Sequence, residues 1–483
     1  MSTRPAFRVA IIGAGMSGIA AAVKLSLSGI AFSIFEKGDS VGGTWRENTY
    51  PGLACDVPAH AYTYSFARNP EWTSMHAPGP EIQEYFQQVA DKRGITDAIR
   101  FGDAVVSLEF RDGGWDLRTA SGLSDRFGAV IAATGVLHHP NIPEIAGLES
   151  FTGACFHSAR WDHSVPLDGR RVGVVGTGST AVQITCALVD RAAHLSLFQR
   201  TAQWILQMET RPFTDEERAR NRANPEELEA FIEKFRTTLT ERIAGAVIDA
   251  DSPELRKIEG LCEQYLATVR DPELREALRP TYRAACKRLV FSPDFYEAIQ
   301  EPNAELVTSS IGHVEADGVR TTDDVLHQLD VLVLATGFRV DRFVRPMRVV
   351  GRDGADLNDT WKDGPFAYLS VSVPGYPNLF LLNGPNGPVG NFSLIDVAEM
   401  QLDYLLHFLE PLNDGRISEV CATVEATAAF EAERIAAAAK SVWMTGCKSW
   451  YLDKRGIPAT WTFSWQRFRE EMAGPKLEAF SVR

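Results

Sequence analysis

Residues 9–18 read VAIIGAGMSG, four apolar residues followed by a loop that contains Gly13, Gly15 and Gly18. The apolar run is typical of a buried parallel strand, and a helical pattern follows the loop. In that context the first two glycines allow a tight turn and close approach of the backbone to a pyrophosphate, while the third lets helix and strand pack closely. The pyrophosphate then lies at the helix N-terminus, where Ser17 also lies. Residues 9–18 therefore predict a dinucleotide-binding site.

The same design recurs at residues 172–181, which read VGVVGTGSTA. An apolar strand again precedes the loop and a helical pattern follows it. The predicted binding residues of this second loop are Gly176, Thr177, Gly178, Ser179, Thr180 and Ala181. A lone glycine loop could be no more than a structural turn, but two in the same strand-to-helix context predict two dinucleotide sites.

The residues that follow the two loops differ in charge. Glu36 ends the next strand, 36 − 13 = 23 residues after the first loop's opening glycine, where a carboxylate can bind ribose hydroxyls. The same count in the second loop, 176 + 23 = 199, reaches Gln199, followed by Arg200 and Thr201. A carboxylate would repel a 2′-phosphate, whereas Arg200 can bind one bidentately. The first site therefore suits FAD or NAD, and the second suits NADPH better than NADH.

Length and charge limit the possible classes of protein. A chain of 483 residues exceeds what one hydrophobic core usually serves, so we expect two or more domains. The formal net charge of −14 opposes general affinity for nucleic acid or anionic membranes. Residues 1–4 leave no room for a secretory apolar region before the first strand, and no apolar stretch is long enough to span a bilayer. We expect a cytoplasmic protein, monomeric or homodimeric, without nucleic-acid or membrane partners.

The cysteines and histidines give no sign of a redox or metal centre. Seven cysteines are an odd number, and the closest two are Cys262 and Cys286, 286 − 262 = 24 positions apart. We therefore expect neither a disulfide framework nor a C-x-x-C dithiol. No cluster of Cys and His has metal-ligand spacing, so we expect no metal.

The chain is predicted to be α/β, with two Rossmann-like dinucleotide-binding domains and a helical insertion. Residues 42–72 are rich in Gly, Pro and aromatics, which is typical of an ordered loop over a ligand. Two similar apolar runs, 129–135 and 330–337, are candidate exit strands where the chain crosses between domains. We assign residues 1–142 and 340–483 to a discontinuous FAD domain and 143–339 to an NADPH domain. The charged stretch at about 213–283 has helical spacing and predicts the insertion, although a solvated helical face is the plainer reading.

Several motifs resemble class B flavin-dependent monooxygenases, and within them the Baeyer–Villiger monooxygenases. The most specific is residues 151–162, FTGACFHSARWD, which fits the pattern F-x-G-x-x-x-H-x-x-x-W-(P/D). Flavin monooxygenases that oxygenate heteroatoms usually lack the Trp and Asp ending. Further similar motifs cover nearly the whole chain in the family's order: GGTW at 42–45, YPG at 50–52, Cys55-Asp56, FQRT at 198–201, CKR at 286–288, ATGF at 335–338, GPN at 384–386 and GCKSWY at 446–451.

The resemblance implies a reaction. In the family, NADPH reduces FAD, the reduced flavin takes up O2 to form a C4a-peroxyflavin, and one oxygen atom is inserted next to a ketone carbonyl to give an ester or lactone. The alternatives are oxygenation of a sulfide or amine by the same intermediate, or a reductase or oxidase without oxygen transfer. The flavin does the difficult chemistry, and the protein supplies orientation, charge and exclusion of water.

The resemblance also implies site residues. Arg288 matches the family's active-site arginine, which would stabilise developing negative charge. Asp56 would hold Arg288 through charge-assisted hydrogen bonds, although it could instead cap a turn. Lys287 would contact the nicotinamide cofactor beside Arg200, although a Lys-Arg pair can also be solvated surface charge. The remaining residues expected at the FAD are Gly43, Thr44, Trp45, Tyr62, Val105 and Leu394.

Two features limit what the resemblance implies. His157 of the fingerprint lies near the domain linker in the family, so we interpret it as a conformational or hydrogen-bonding residue, with direct catalysis as the alternative. After residues 384–386, many relatives carry a His before an Asn-Ser pair, whereas this chain has Asn391, which cannot carry a proton charge. The identity of the ketone therefore stays open: steroid, cyclic, linear and polyketide substrates are all compatible with the sequence.

Overall fold

Two five-stranded parallel sheets organise the computed structural model, which describes residues 7–390 and 392–483. The strands, numbered in chain order, are β1 (Val9–Ile12), β2 (Phe32–Phe35), β3 (Ile99–Arg100), β4 (Val105–Arg111), β5 (Gly114–Thr119), β6 (Ser124–Phe127), β7 (Ala129–Ala132), β8 (Ala154–His157), β9 (Arg171–Val175), β10 (His194–Phe198), β11 (Ile205–Gln207), β12 (Val290–Ser292), β13 (Ala304–Val307), β14 (Ile311–Glu315), β15 (Gly318–Thr321), β16 (Leu326–Gln328), β17 (Val331–Leu334), β18 (Arg348–Val350), β19 (Leu379–Leu381), β20 (Val420–Ala422) and β21 (Phe480–Val482).

The α-helices surround the sheets and form the inserted segment. They are α1 (Met16–Leu27), α2 (Thr44–Glu47), α3 (Gly79–Lys92), α4 (Ser179–Leu188), α5 (Asp215–Ala223), α6 (Pro225–Leu239), α7 (Gly245–Val247), α8 (Pro253–Leu266), α9 (Pro272–Ala277), α10 (Phe295–Ala298), α11 (Leu357–Thr360), α12 (Leu394–Asn413), α13 (Val424–Ala438) and α14 (Trp465–Met472).

The first sheet has the order β19-β7-β1-β2-β3, and the second has the order β8-β17-β9-β10-β13. Every neighbouring pair in both sheets is parallel. The two sheets therefore share one arrangement, in which the strand before each glycine loop lies at the centre. The predicted α/β class with two dinucleotide-binding folds is confirmed.

The strand sequences explain why both sheets are parallel and central. All four residues of β1, β7 and β17 are buried, as expected when helices or other layers cover both faces of a sheet. The first sheet packs against α1, α3 and α12 on one face. On its other face lies a four-stranded sheet of order β18-β4-β5-β6. The second sheet has its own core around α4.

Chain crossings between the sheets occur at the two predicted exit strands, β7 and β17. The strands of the first sheet come from residues 9–132 and 379–381, and those of the second from 154–334. The backbone after β7 and the backbone after β17 run together, because Asn141 N–H donates to the Gly337 carbonyl at 2.8 Å. Helices α5 to α9 lie between β11 and β12 and form the inserted helical segment.

A separate apolar cluster joins this helical segment to the C-terminal part of the chain. It contains Trp204 and Leu255 on one side and Trp443 and Tyr451 on the other. A disulfide between Cys286 and Cys447 crosses it, 161 residues apart in sequence. The sequence predicted no disulfide framework and gave no sign of this single bridge, because the two cysteines are distant in sequence and only the fold brings them together.

Two absences concern only the described residues. No helix in this part of the chain combines the length and apolar character needed to cross a membrane. Within residues 7–390 and 392–483, no group of three or more His, Cys, Asp or Glu side chains is arranged to hold a metal ion. The expectation of a metal-free protein stays a prediction.

Candidate active site

The first glycine loop turns tightly between β1 and α1. Gly13 has φ +103°, and a Cβ there would lie 2.6 Å from the Ala133 carbonyl oxygen. Gly18 lies inside α1, where a Cβ would overlap the Gly13 carbonyl. Each glycine therefore permits a backbone approach that an alanine would block. The loop leaves the N-terminus of α1, with Gly15 as its N-cap, directed at the space a pyrophosphate would take.

Glu36 lies at the end of β2 beside this loop. Its carboxylate accepts the Ala14 N–H at 2.7 Å and the Gly38 N–H at 2.8 Å. Arg46 also donates to it at 3.0 Å, and both side chains of this ion pair are largely buried. Burial lowers the pKa of Arg46, but the attraction of Glu36 and Glu47 outweighs it, so the pKa lies above its usual value. Sequence reasoning missed Arg46, although a cation in the loop after Glu36 was a visible signal.

The residues expected around a flavin ring lie in the segment that covers the first loop. Gly43 has φ +54° and caps α2, which begins at Thr44. A Cβ on Gly15 would come within 3.3 Å of the Gly43 Cα, so the covering segment is in close contact with the loop. Trp45 Nε1 donates to the Tyr62 hydroxyl at 3.1 Å.

Three further predicted cofactor residues lie around the same loop. The Asn383 side-chain amide donates to Ser17 Oγ at 3.0 Å and to the Leu394 carbonyl at 3.3 Å, which joins the first turns of α1 and α12. Val105 begins β4, two residues after Asp103, whose N–H donates to the Glu36 carbonyl at 3.1 Å. The structure therefore brings Ser17 and Leu394 together at the first glycine loop, and Val105 follows the residue that pairs with the end of β2 by two positions.

The second glycine loop has the same tight turn as the first, but the space next to it is open. Gly176 has φ +123°, and a Cβ there would overlap the Ala335 carbonyl. No atom lies within 4 Å of the Cβ position of Gly178, which caps α4. Thr177 Oγ1 donates to the Thr201 carbonyl at 2.8 Å, which ties the loop to the segment after β10.

Residues of the first domain's loops reach the start of α4. Ser179 begins this helix, Ala181 is fully buried, and Thr180 Oγ1 donates to the Tyr50 hydroxyl at 3.4 Å. Tyr50 in turn donates to Gln183 at 2.9 Å. The two glycine-loop regions are thus in direct contact through the YPG motif.

Cationic groups gather after β10, as the sequence predicted. Arg200 is exposed, whereas Gln199 is buried and donates to the Ala277 carbonyl at 2.7 Å. The Lys287 ammonium lies 4.9 Å from the Tyr282 ring centroid. Burial, followed by repulsion from Arg200, lowers the pKa of Lys287. Lys287 is therefore within electrostatic reach of Arg200, although the two residues are 87 positions (287 − 200) apart in sequence.

Arg288 and Asp56 form an ion pair between the two domains. Arg288 Nη2 donates to Asp56 Oδ2 at 2.6 Å, and Nη1 donates to the Gly390 carbonyl at 3.3 Å. The Asp56 charge, opposed by burial and aided by the Tyr451 hydroxyl, raises the pKa of Arg288 above its already high value. The side chain of Arg288 is 36% exposed, so a charged face remains accessible. Asn391, the residue where the sequence departs from many relatives, lies outside the described residues.

This geometry can be set beside known proteins. The model of the family FMO-like, described as flavin-binding monooxygenase-like, matches residues 6–344. The chain belongs to this family. Its relatives include an uncharacterised monooxygenase of Mycobacterium tuberculosis (strain ATCC 25618 / H37Rv), 48% identical over 98% of this chain and 96% of that protein. They also include a Baeyer–Villiger monooxygenase of Streptomyces coelicolor, 38% identical over 98% of this chain and 92% of that protein.

Solved structures agree with this family. Cyclohexanone monooxygenase from Rhodococcus sp. Phi1, bound to NADP⁺, has a TM-score of 0.88 with 28% identity, and the match covers 99% of each chain. The similarity therefore extends over both domains and the helical insertion.

In this flavin-binding monooxygenase the fingerprint lies at the domain linker. His157 ends β8, is buried, and accepts the Ala159 N–H on Nδ1 at 3.1 Å. Its Nε2 is therefore the protonated nitrogen and donates to the Gly337 carbonyl at 3.0 Å. Burial lowers the pKa of His157. Arg160 pairs with Glu47 of α2 at 2.9 Å, so the fingerprint joins the second domain to the segment covering the first loop.

A cavity of about 660 Å³ has sequence neighbours of Asp56 and Gly390 in its wall, although neither Arg288 nor Asp56 lines it. Val57, adjacent to Asp56, and Phe392, two residues after Gly390, lie in its wall. Helix α6 supplies Phe235 and Arg236 from the insertion, and the C-terminal part supplies Trp465. The wall is mixed in character, since burial raises the pKa of its Asp396 to about 7 while Arg236 opposes the shift. Sequence reasoning did not identify these wall residues, because they come from four separate segments.

Proposed function

We propose that the protein is an FAD- and NADPH-dependent Baeyer–Villiger monooxygenase. It would insert one oxygen atom of O2 next to the carbonyl of a ketone to give an ester or lactone. The observation that carries the proposal is the ion pair of Arg288 with Asp56, which joins the chain segment after the second glycine loop to the segment after the first. Family membership supports a flavin, and the names of relatives support this type of oxygenation.

The first glycine loop fits FAD. Its three glycines leave room for a pyrophosphate, and a Cβ at Gly15 would enter the contact with Gly43. The Glu36 carboxylate lies at the loop, where it can accept ribose hydroxyls. Gly43, Thr44, Trp45 and Tyr62 would lie along the flavin ring, and Ser17, Val105 and Leu394 would complete the site. We assign residues 1–142 and 340–483 to this FAD domain.

The second glycine loop fits NADPH. Arg200 and Lys287 form a cationic pair at the end of β10, where an adenosine 2′-phosphate would lie. An exposed guanidinium can bind phosphate oxygens bidentately without losing a stronger partner in the protein. Residues 143–339 would form this domain, with the helical insertion at about 213–283.

Bound FAD supplies the redox chemistry: it accepts hydride from NADPH and, once reduced, activates O2. The chain supplies charge and position. Arg288 stays protonated at every working pH because a guanidinium does not lose its proton in proteins. It can therefore stabilise negative charge that develops on oxygen during attack on the ketone, without giving that oxygen a proton. Asp56 fixes the plane of the guanidinium through its 2.6 Å hydrogen bond.

His157 would act on conformation rather than on the reacting atoms. Both of its ring nitrogens are engaged within the linker, one with Ala159 and one with Gly337. The ketone would enter the cavity walled by Val57, Phe235 and Phe392. The cytoplasmic location and the monomeric or homodimeric state remain predictions.

The test is oxygen transfer to a panel of cyclic, linear and steroid ketones with NADPH and isotopically labelled O2. We expect one labelled oxygen in an ester or lactone. Arg288→Ala should keep bound FAD and its reduction by NADPH but lose oxygen transfer by at least about 100-fold, the usual scale for an electrostatic group in a transition state. Arg279→Ala is the matched control, because Arg279 pairs with Glu263 in the helical insertion, outside the proposed site.

Other outcomes would identify a different function. Labelled oxygen in sulfides or amines, with none in any ketone product, would replace the proposal with heteroatom oxygenation. Oxidation of NADPH that yields only hydrogen peroxide with every substrate would point to an oxidase. Lactone formation by Arg288→Ala at the wild-type rate would remove the role given to Arg288.

A further inference from the structure

Three oxygens lie near the Arg288 guanidinium: Asp56 and the Gly390 carbonyl accept hydrogen bonds from it, and the Tyr451 hydroxyl lies against Gly390. The tyrosine is buried, and its ring stacks on Trp450 with a centroid distance of 4.1 Å. Burial raises the pKa of its hydroxyl, and the nearby Arg288 partly offsets the rise. Its hydroxyl is therefore neutral under working conditions, and it faces a group that can only donate hydrogen bonds.

The three oxygens fix the guanidinium more fully than one ion pair would. A planar guanidinium that binds one carboxylate oxygen can still rotate about that contact. A second contact, from Nη1 to the Gly390 carbonyl, restricts this rotation, and the Tyr451 hydroxyl lies against Gly390. The three oxygens belong to chain segments that are distant in sequence.

Gly390 shows how closely the tyrosine approaches. It has φ +92°, and a Cβ there would overlap the Tyr451 hydroxyl and lie 2.9 Å from its ring carbons. The glycine therefore leaves the space that the hydroxyl uses on its way to Arg288.

The disulfide joins the two segments that carry this contact. Cys286 lies two residues before Arg288, and Cys447 lies four residues before Tyr451. Both cysteines are buried in the apolar cluster that also contains Tyr451. Ala285, next to Cys286, has φ +60°, a conformation that L side chains rarely adopt and that needs support from its surroundings.

We propose that Tyr451 is a positioning residue for Arg288, and that the Cys286–Cys447 disulfide keeps the Tyr451 segment aligned with the Arg288 loop. The inference rests on the proposed function, because Arg288 is assigned its role there. Reduction by a dithiol such as dithiothreitol transfers two electrons and two protons to the disulfide. It yields two cysteine thiols and the cyclic disulfide of the reagent, and it frees the Tyr451 segment.

The first experiment compares Tyr451→Phe with the wild-type holoenzyme. Phenylalanine keeps the ring packing and removes only the hydroxyl. We expect the fraction of oxidised NADPH that appears as ester to fall at least threefold, with hydrogen peroxide making up the difference. The KM for NADPH and the rate of anaerobic flavin reduction should stay unchanged. Tyr265→Phe is the matched control, because it also removes only the hydroxyl of a buried tyrosine. Tyr265 lies in α8 of the helical insertion and donates to Glu297 of α10 at 3.2 Å.

The outcomes separate this inference from the proposed function. Failure of the wild type to oxygenate any ketone would contradict the proposed function itself. Ester formation by the wild type together with an unchanged ester fraction in Tyr451→Phe would overturn the positioning role. An equal loss of flavin reduction and ester formation in Tyr451→Phe would also overturn it, because it would indicate general structural damage.

The second experiment tests the disulfide. Protein oxidised in air and then unfolded in denaturant should show five reactive thiols, and seven after reduction. In the native ligand-free protein, reduction should increase hydrogen exchange of residues 442–452. It should also lower the ester fraction of wild-type enzyme towards that of Tyr451→Phe, without changing Tyr451→Phe further.

A Cys447→Ser variant should show the reduced behaviour with or without the dithiol. If that variant fails to fold, reduction of the wild type supplies the same comparison. Seven reactive thiols in the oxidised protein, or a full ester fraction after reduction, would overturn the role of the disulfide.

Discussion

The two glycine loops have the same backbone design and differ in how the protein encloses them. In both, the opening glycine has positive φ and faces a carbonyl of the neighbouring strand, that of Ala133 or of Ala335. A Cβ added to Gly15 of the first loop would meet the covering segment at Gly43. A Cβ added to Gly178 of the second loop would have no neighbouring atom within 4 Å. A covered site suits a cofactor that stays bound, and an open site suits one that enters and leaves in every turnover.

The charged residues at the two sites also differ in how far the protein encloses them. Glu36 is buried and satisfied by two backbone N–H groups and Arg46, so its position is fixed before any nucleotide binds. Arg200 is exposed and Lys287 is half-buried beside it. The first site therefore has a rigid acceptor, and the second has cations that can meet a phosphate from solvent. Three experiments test this difference between the two sites.

The largest effect is expected for Gly18→Ala in the first loop. The new Cβ would overlap the Gly13 carbonyl and lie 2.9 Å from its carbon, so the backbone must shift, at a cost near the top of the usual range of about 1–3 kcal/mol. Affinity for FAD should then fall by more than about 100-fold. The measurement is the FAD content of the purified protein. The control is Gly260→Ala in α8, where the Cβ position is open. Full FAD content in Gly18→Ala would show that the first loop is not tightly enclosed.

The next effect is expected for Arg200→Ala in the second site. Loss of a charge-assisted contact to the 2′-phosphate should cost about 1.5–3 kcal/mol, so the KM for NADPH should rise roughly 10- to 100-fold. The KM for NADH should change little, because NADH lacks that phosphate. Arg191→Ala, which removes an exposed arginine paired with Asp168, controls for the change in charge. Equal effects on both cofactors would contradict the phosphate assignment.

The smallest effect is a pH dependence that only the second site should show. Burial and Arg200 lower the pKa of Lys287, so its ammonium loses its proton at a lower pH than a free lysine does. Below that pKa the cation attracts the 2′-phosphate, and above it the attraction is lost. NADPH affinity should therefore fall a few-fold relative to NADH between about pH 7 and about pH 10. Lys287→Arg should abolish the fall, since a guanidinium stays charged. An unchanged pH profile in that variant would exclude Lys287 as the cause.

Much of the fold could be predicted because its signals are local. Each glycine loop follows an apolar run and precedes a helix within about 20 residues, and strand and helix periodicity are properties of short segments. The spacing from each loop to Glu36 or Arg200 is also a local signal, since the end of the second strand lies beside the loop in any βαβ unit. The family motifs identified Arg288 and Asp56 and implied that Asp56 holds Arg288, and the structure has a hydrogen bond of 2.6 Å between them.

Other parts of the candidate site had no local signal. Tyr451 is a polar residue in a loop, and loops contain many such residues. Cysteine spacing indicated no disulfide because spacing measures distance along the chain, whereas Cys286 and Cys447 are joined across 161 residues. The cavity wall collects side chains from four segments, and no single segment shows a pattern that predicts it.

The sequence by itself determined the two dinucleotide-binding units, their order and the opposite charges at their strand ends. These depend on backbone geometry and residue type within short stretches of chain. The tertiary structure alone decided how Arg288 is held, with Asp56, Gly390 and Tyr451 converging from distant segments. It also decided which site is enclosed and which is open. The physical reason is that such contacts arise when separately formed units pack against each other, and packing depends on the shape of the whole chain.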